Sequence, residues 1–213
     1  MFARKNISVI FIIFLIFPFS ACLNFKQQNP EVEYYTLEYD SPAPSGREKL
    51  PYIIKVETFK VSPVYDTTSI IYRENAFKRE SYTYHKWSVN PANIVTYLVG
   101  RDLKSSGLFK GVVIPGERNR EVSFYLGGIV DEFYELDDNR EWSGVLSLSI
   151  TLTTEGKVKK TGMDIFQKTY SVTEKCEKKN PASLAEALSR AMEKVSRETG
   201  EDLYSYIKKG MKD

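Results

Sequence analysis

Apolar and polar residues alternate over much of the chain, most regularly where Leu146, Leu148, Ile150 and Leu152 are interleaved with Ser147, Ser149, Thr151 and Thr153. A period of two belongs to a strand with one buried face, because successive side chains leave the backbone on opposite sides. The pattern predicts a strand over 141–155 flanked by strands over 121–136 and 163–175. They are joined through Asp137-Asp138-Asn139-Arg140 and Glu155-Gly156-Lys157. Gly127-Gly128 within 121–136 marks a bulge or a close backbone approach. Shorter alternating runs rich in β-branched and aromatic residues predict strands over 34–39, 52–61, 69–73, 80–85 and 108–114, with 69–86 forming a hairpin. Between the first two, Ser41 to Pro51 holds three prolines and a glycine and reads as a loop.

The period changes to helical twice, each time after Asn-Pro. At Asn90-Pro91 and again at Asn180-Pro181, the asparagine can cap free N–H groups, and proline in the first turn removes a donor that would have no partner. Ile94, Tyr97, Leu98 and Leu103 form one apolar stripe, and Gly107 supplies a left-handed stop. Leu184, Leu188, Ala191, Val195, Leu203 and Ile207 form the other, which runs past Gly200. Two helices with one stripe each cover one face of a wide sheet. The expected fold is therefore α/β: a mixed, mostly antiparallel sheet with two main helices packed on it and the other face partly bare.

The N-terminal end changes this picture. Arg4 and Lys5 precede an apolar run from Ile7 to Phe19, followed by Ser20, Ala21 and Cys22. At about 13 residues the run is short of the ~20 that a spanning helix needs, and it suits the apolar region of a secretory signal. Ser20-Ala21-Cys22 resembles the bacterial lipobox, with Phe19 where a leucine is usual. The resemblance implies cleavage between Ala21 and Cys22 and acylation of Cys22. The expected domains are a signal peptide over 1–21, a lipidated tether over 22–30 and a single periplasmic domain over 31–213. Several acyl chains on one cysteine make a stable anchor. Leu23 is not the aspartate that favours inner-membrane retention, so the expected site is the outer membrane, facing the periplasm.

Charge and chemistry narrow the function. The chain has 30 basic and 28 acidic residues, and removing residues 1–21 takes away only Arg4 and Lys5, leaving a neutral mature chain of 192 residues. Neutrality without a basic stripe argues against nucleic acid as a partner. With Cys22 acylated, Cys176 has no cysteine to pair with and reads as a buried small hydrophobe. One histidine, His85, cannot build a His-rich metal site, and it reads as a strand residue. The acid cluster Asp131, Glu132, Glu135, Asp137 and Asp138 lies at a strand end. Alternation would put Asp131 and Glu135 on one face and Glu132 on the other, as solvated acids. Asp137, Asp138 and Asn139 lack the glycine and distal glutamate of a calcium loop. No catalytic set, cofactor or metal site is expected. The 14 tyrosines suit a contact surface, since tyrosine buries area and still hydrogen-bonds.

Several segments, in order, carry a resemblance to one family. They are Tyr34-Tyr35-Thr36-Leu37; Val64-Tyr65-Asp66 with Ile70-Ile71-Tyr72-Arg73; Tyr84-His85-Lys86-Trp87 leading into Asn90-Pro91; Leu98, Leu103 and Gly107-Leu108-Phe109; and Leu126 to Phe133. The strand from Leu146 to Leu152 and the alanine-rich last helix complete the pattern. The chain resembles the ABC-type transport auxiliary lipoproteins, the PqiC-like outer-membrane lipoproteins that accompany MCE-domain lipid transporters. The resemblance implies a fold similar to the TolB N-terminal domain and a docking role beside an MCE-domain protein in lipid trafficking. Tyr35, Tyr65, Asp66, Tyr72, Arg73 and Trp87 are its contact candidates, and a sheet edge or the bare sheet face is its expected docking route. The alternative is a lipoprotein of the same fold that regulates a cell-envelope enzyme such as a peptidoglycan synthase.

Overall fold

Strand pairing is longest where the alternation is most regular. The computed structural model describes residues 30–118, 121–138, 140–154 and 166–211. Arg4, Lys5, Ala21, Cys22, the rest of the tether up to residue 29, Asn139 and the turn Glu155-Gly156-Lys157 lie outside the described residues. The elements are β1 (Glu33–Tyr35), β2 (Leu50–Val56), β3 (Lys60–Val61), β4 (Ser69–Arg73), β5 (Glu80–Trp87), α1 (Pro91–Ser105), β6 (Phe109–Val113), β7 (Phe124–Asp137), β8 (Trp142–Thr154), β9 (Phe166–Lys175) and α2 (Pro181–Gly210), with a 3-10 turn at Pro63–Tyr65.

β7 is the spine of the sheet. One edge pairs antiparallel with β8, which pairs antiparallel with β9. Along its other edge β7 takes three parallel partners in succession: β2 at Phe124, β3 at Ile129 and β4 at Glu135. β6 extends β2, β5 folds back on β4, and β1 extends β5. The sheet is thus mixed, and its longest ladders are the two antiparallel ones. In the register of these ladders Leu126, Val130 and Phe133 stand opposite Leu152, Leu148 and Leu146, which makes one apolar inner face.

Both helices are fixed as the capping signals predict. Asn90 Oδ1 accepts from Ala92 N at 2.9 Å and Asn180 Oδ1 from Ser183 N at 2.8 Å. Gly107 has φ 65°, just after α1. The stripe of α2 is buried throughout, from Leu184 to Ile207, against β8 and β9, and α1 packs on α2, β6 and β7. The described residues from Val32 onward form one compact unit. Among them no helix is long and apolar enough to cross a membrane.

Two expected strands come out shorter. The 52–61 run splits because Phe59 leaves the ladder: its amide donates to Thr96 Oγ1 of α1 at 2.9 Å. Its ring lies over Gly128, where an added Cβ would stand 2.5 Å from Phe59 Cε1 and 2.6 Å from Ser149 O. Gly128 therefore serves a close approach, one of the two roles anticipated for the glycine pair. The 34–39 run pairs only over 33–35, since Leu37 is buried and Glu38 N donates to Ser189 Oγ of α2 at 3.0 Å.

The outer face of β8 and β9 is not the partly bare apolar surface that docking through it would use. It carries the hydroxyls of Ser149, Thr151 and Thr169, with Ser149 donating to Asp131 Oδ2 at 2.6 Å and lying 2.9 Å from Thr169 Oγ1. Such a face is satisfied by water and gains little from burial.

Candidate functional site

The contact candidates converge around the β4–β5 hairpin and the end of β7, but most serve packing there. Trp87 is 1% exposed and meets Phe133 edge-on, with ring centroids 5.1 Å apart. Tyr65, on the 3-10 turn, stacks on Tyr134 at 5.9 Å and 9° between planes, and the guanidinium of Arg73 lies 4.6 Å from the centre of the Tyr134 ring. Asp66 Oδ1 accepts from Asn90 Nδ2 at 2.8 Å, which orients the residue that caps α1. A buried aromatic stack with cationic cover fixes the hairpin to β7.

Tyr72 and Tyr35 belong to a polar network on the same strands. Tyr72 donates to Glu80, a bond that pushes its phenol up to about 12, and its ring is 5.0 Å from that of Tyr82. Tyr82 OH donates to Glu135, 3.1 and 3.2 Å from the two carboxyl oxygens. The ring of His85 stands 5.6 Å from Tyr82, and its Nδ1 is 3.3 Å from both Tyr35 OH and Glu33 Oε2. Tyr35 also donates to Glu33; burial first, then this bond, raises its phenol to about 12.

Glu135 departs most from the sequence reading. It is fully buried, not a solvated acid, and burial pushes its carboxyl up to about 7 against the opposing effect of the Tyr82 bond. The cause is a bulge. The β7–β8 register steps from Val130↔Leu148 to Glu132↔Ser147, leaving Asp131 as an extra residue. Beyond that step the faces invert: Asp131 and Glu132 share the hydroxyl face, and Glu135 turns inward opposite Gly144. The three acids therefore do not form a carboxylate pair in a cleft. Asp138 closes the following turn by accepting from Arg140 N at 3.0 Å and Glu141 N at 2.8 Å. Among the described residues no group of three or more His, Cys, Asp or Glu is placed to hold a metal ion. Cys176 is buried, and burial raises its thiol to about 11.

Two sheet edges contrast. Among the described residues β9 pairs only with β8, and ion pairs join it to α2: Lys168 with Asp202 at 2.6 Å, and Glu174 with Lys194 at 2.5 Å and Arg190 at 3.5 Å. Charges of this kind guard an edge against added strands. At the other end β1 pairs only with β5 among the described residues; Tyr34 on β1 is 64% exposed and Tyr84 on β5 43%.

Sequence reasoning missed a second polar centre between the helices. Asp102, 2% exposed, accepts from Tyr39 OH at 2.6 Å and from Arg101 Nε at 2.9 Å, while the Arg101 guanidinium lies 4.4 Å from the centre of the Tyr39 ring. Burial first, then the Asp102 bond, raises the Tyr39 phenol far above its ordinary value. The signal was present in the chain: Asp102 interrupts the apolar stripe between Val99 and Leu103. Beside it, α1, α2 and the 42–47 loop enclose a recess of about 360 Å³.

The model of the ABC-type transport auxiliary lipoprotein component family matches residues 35–199. The chain belongs to this family. The match runs from Tyr35, the last residue of β1, into α2 as far as residue 199. A solved Xanthomonas campestris protein of family-model DUF330 is similar to this auxiliary lipoprotein with a TM-score of 0.71 at 14% identity, over 85% of this chain and 99% of that one. A solved structure of an uncharacterized protein gives a TM-score of 0.62 at 14% identity, over 81% and 99%. At these identities the likeness speaks for the fold. No curated protein matches the sequence. The family is one of auxiliary transport components and not a known enzyme family.

Proposed function

We propose that this auxiliary lipoprotein is anchored through an acylated Cys22 in the outer membrane, faces the periplasm, and docks the MCE-domain protein of an ABC transport system that moves lipid. The protein adds a contact surface and no turnover of its own. The observation that carries this reading is the β1 edge: among the described residues β1 pairs only with β5, and the two strands display Tyr34 and Tyr84, whereas the long strand β9 at the far side carries ion pairs. Strand addition at such an edge supplies main-chain hydrogen bonds, and exposed tyrosines supply area at low entropic cost. Tyr35 and Trp87 act from behind: Tyr35 registers with Trp87, which anchors β5 in the core beneath the edge.

The test is co-expression of the tagged full-length chain with an MCE-domain protein from the same genome, followed by purification in detergent. The wild type should retain the partner and Tyr34→Lys should lose most of it, while Cys22→Ser should lose label from radioactive palmitate. The reading is wrong if no complex forms, or if the pure chain hydrolyses phospholipid or peptidoglycan fragments in a manner that needs Asp131 or Glu135. Retention of a peptidoglycan synthase in place of the MCE-domain protein would favour the alternative.

A further inference from the structure

We infer that the recess between α1 and α2 is a binding site for a compact organic anion with an apolar body. Its volume of about 360 Å³ lies near the lower end of the ~300–1,000 Å³ of small-molecule sites, too small for a two-chain lipid. The roof is built and not a loose flap: Ser45 N donates to Ser106 O at 3.0 Å, which ties the 42–47 loop to the end of α1.

Gly200 marks the recess as a space that is kept. It sits inside the 30-residue α2, where glycine is the least favourable residue after proline. Sterics do not require it. A Cβ there would meet only Leu103 Cδ2 at 3.5 Å and Leu108 Cδ1 at 3.7 Å, both ordinary contacts, so alanine fits. Those two leucines line the recess, as does Gly200 itself. The methyl group that would strengthen the helix would also thicken the apolar wall and take volume from the recess.

The polar lining sets the class of ligand. Asp102 is committed to Tyr39 and Arg101, so its charge is answered from within the protein. The remaining charged groups of the lining are Arg47, Arg197 and Glu201, a net charge of one positive, which suits one anionic group. Arg47 is a lining residue of the recess, and its guanidinium also lies 5.6 Å from the centre of the Tyr204 ring outside it. Of the two buried serines in the lining, Ser106 donates its hydroxyl to Leu103 O at 2.7 Å, which leaves Ser196 as the hydroxyl beside the apolar wall. This arrangement of apolar body and oriented polar rim is that of a small-molecule pocket.

The site is independent of docking at the β1 edge, and it is tested without the transporter. The full-length chain in a neutral detergent is titrated by calorimetry with 4-phenylbutyrate, and separately with its neutral amide, against a detergent blank. Phenylbutyrate should bind, with the amide about tenfold weaker, as expected for loss of a charge-assisted contact. Arg47→Gln should erase that preference. Gly200→Ala should raise the melting temperature of the free protein while weakening phenylbutyrate by about fivefold or more. Heat no greater than the blank, equal affinity for acid and amide, or unchanged binding in a folded Gly200→Ala protein would each overturn the assignment.

Discussion

Replacing Glu135 by glutamine should remove a pH dependence of stability that this one buried carboxyl imposes. In the unfolded chain a glutamate gives up its proton near 4.5, whereas here burial holds the proton until about 7. Between those values the folded state binds more protons than the unfolded one, so stability falls as pH rises from about 4.5 to about 7 and then levels off. Each unit of pKa difference is worth 1.36 kcal/mol, so ionised Glu135 costs about 3 kcal/mol above pH 7 relative to its protonated form at pH 4. Glutamine keeps an acceptor for Tyr82 OH and cannot ionise. The assay is urea unfolding of both proteins followed by fluorescence of the two tryptophans, Trp87 and Trp142, from pH 4 to pH 8.5. The difference between variant and wild type should move in the variant's favour by about 3 kcal/mol across that range. Tyr82→Phe is the counter-test. It removes the bond that favours the charged form, so the midpoint of the wild-type transition should shift to higher pH. Parallel stability curves for wild type and Glu135→Gln would show that Glu135 is hydrated in the folded state, and the inward turn after the Asp131 bulge would be wrong.

Other outcomes follow from packing and capping. Trp87→Ala empties a site that is 1% exposed and should cost about 3–5 kcal/mol in chemical denaturation, with an unchanged midpoint counting against its place in the core. Gly128→Ala should cost about 1–3 kcal/mol, because the added methyl meets both the Phe59 ring and the backbone of β8, and Phe59→Ala in the same chain should recover part of the loss only if the ring is the chief obstacle. Asn90→Ala should cost about 1 kcal/mol through loss of the α1 cap, measured by thermal unfolding, and Asp66→Ala should matter much less once Asn90 is gone.

The three long strands, both helices and the hairpin were legible because each rests on local physics: period two, period 3.6, an Asn-Pro start. What escaped was set by partners far along the chain. The 52–61 run alternates well enough to be one strand, yet Phe59 gains more by burying its ring over Gly128 and giving its amide to Thr96 than by staying in the ladder. The inversion of the acid cluster is of the same kind. Nothing local at Asp131 announces a bulge, since the extra residue exists only relative to the register of β8.

The same logic explains how a chain with this much antiparallel pairing also carries parallel neighbours for β7. β7 has 14 residues, and β2, β3 and β4 have seven, two and five. No one of the three can pair the full edge of β7. Because the chain from Leu50 to Arg73 advances in one direction along that edge, all three meet β7 parallel and in order. Only at the end of this run does the chain turn back, through the β4–β5 hairpin. That reversal carries the chain outward to β5, and β1 then pairs beyond it, putting Tyr34 on the last strand of that side among the described residues. The exposed aromatic edge on which the proposed contact depends is therefore a consequence of how a short-stranded segment tiles one long strand, and altering Tyr34 or Tyr84 should leave that tiling, and the fold, intact.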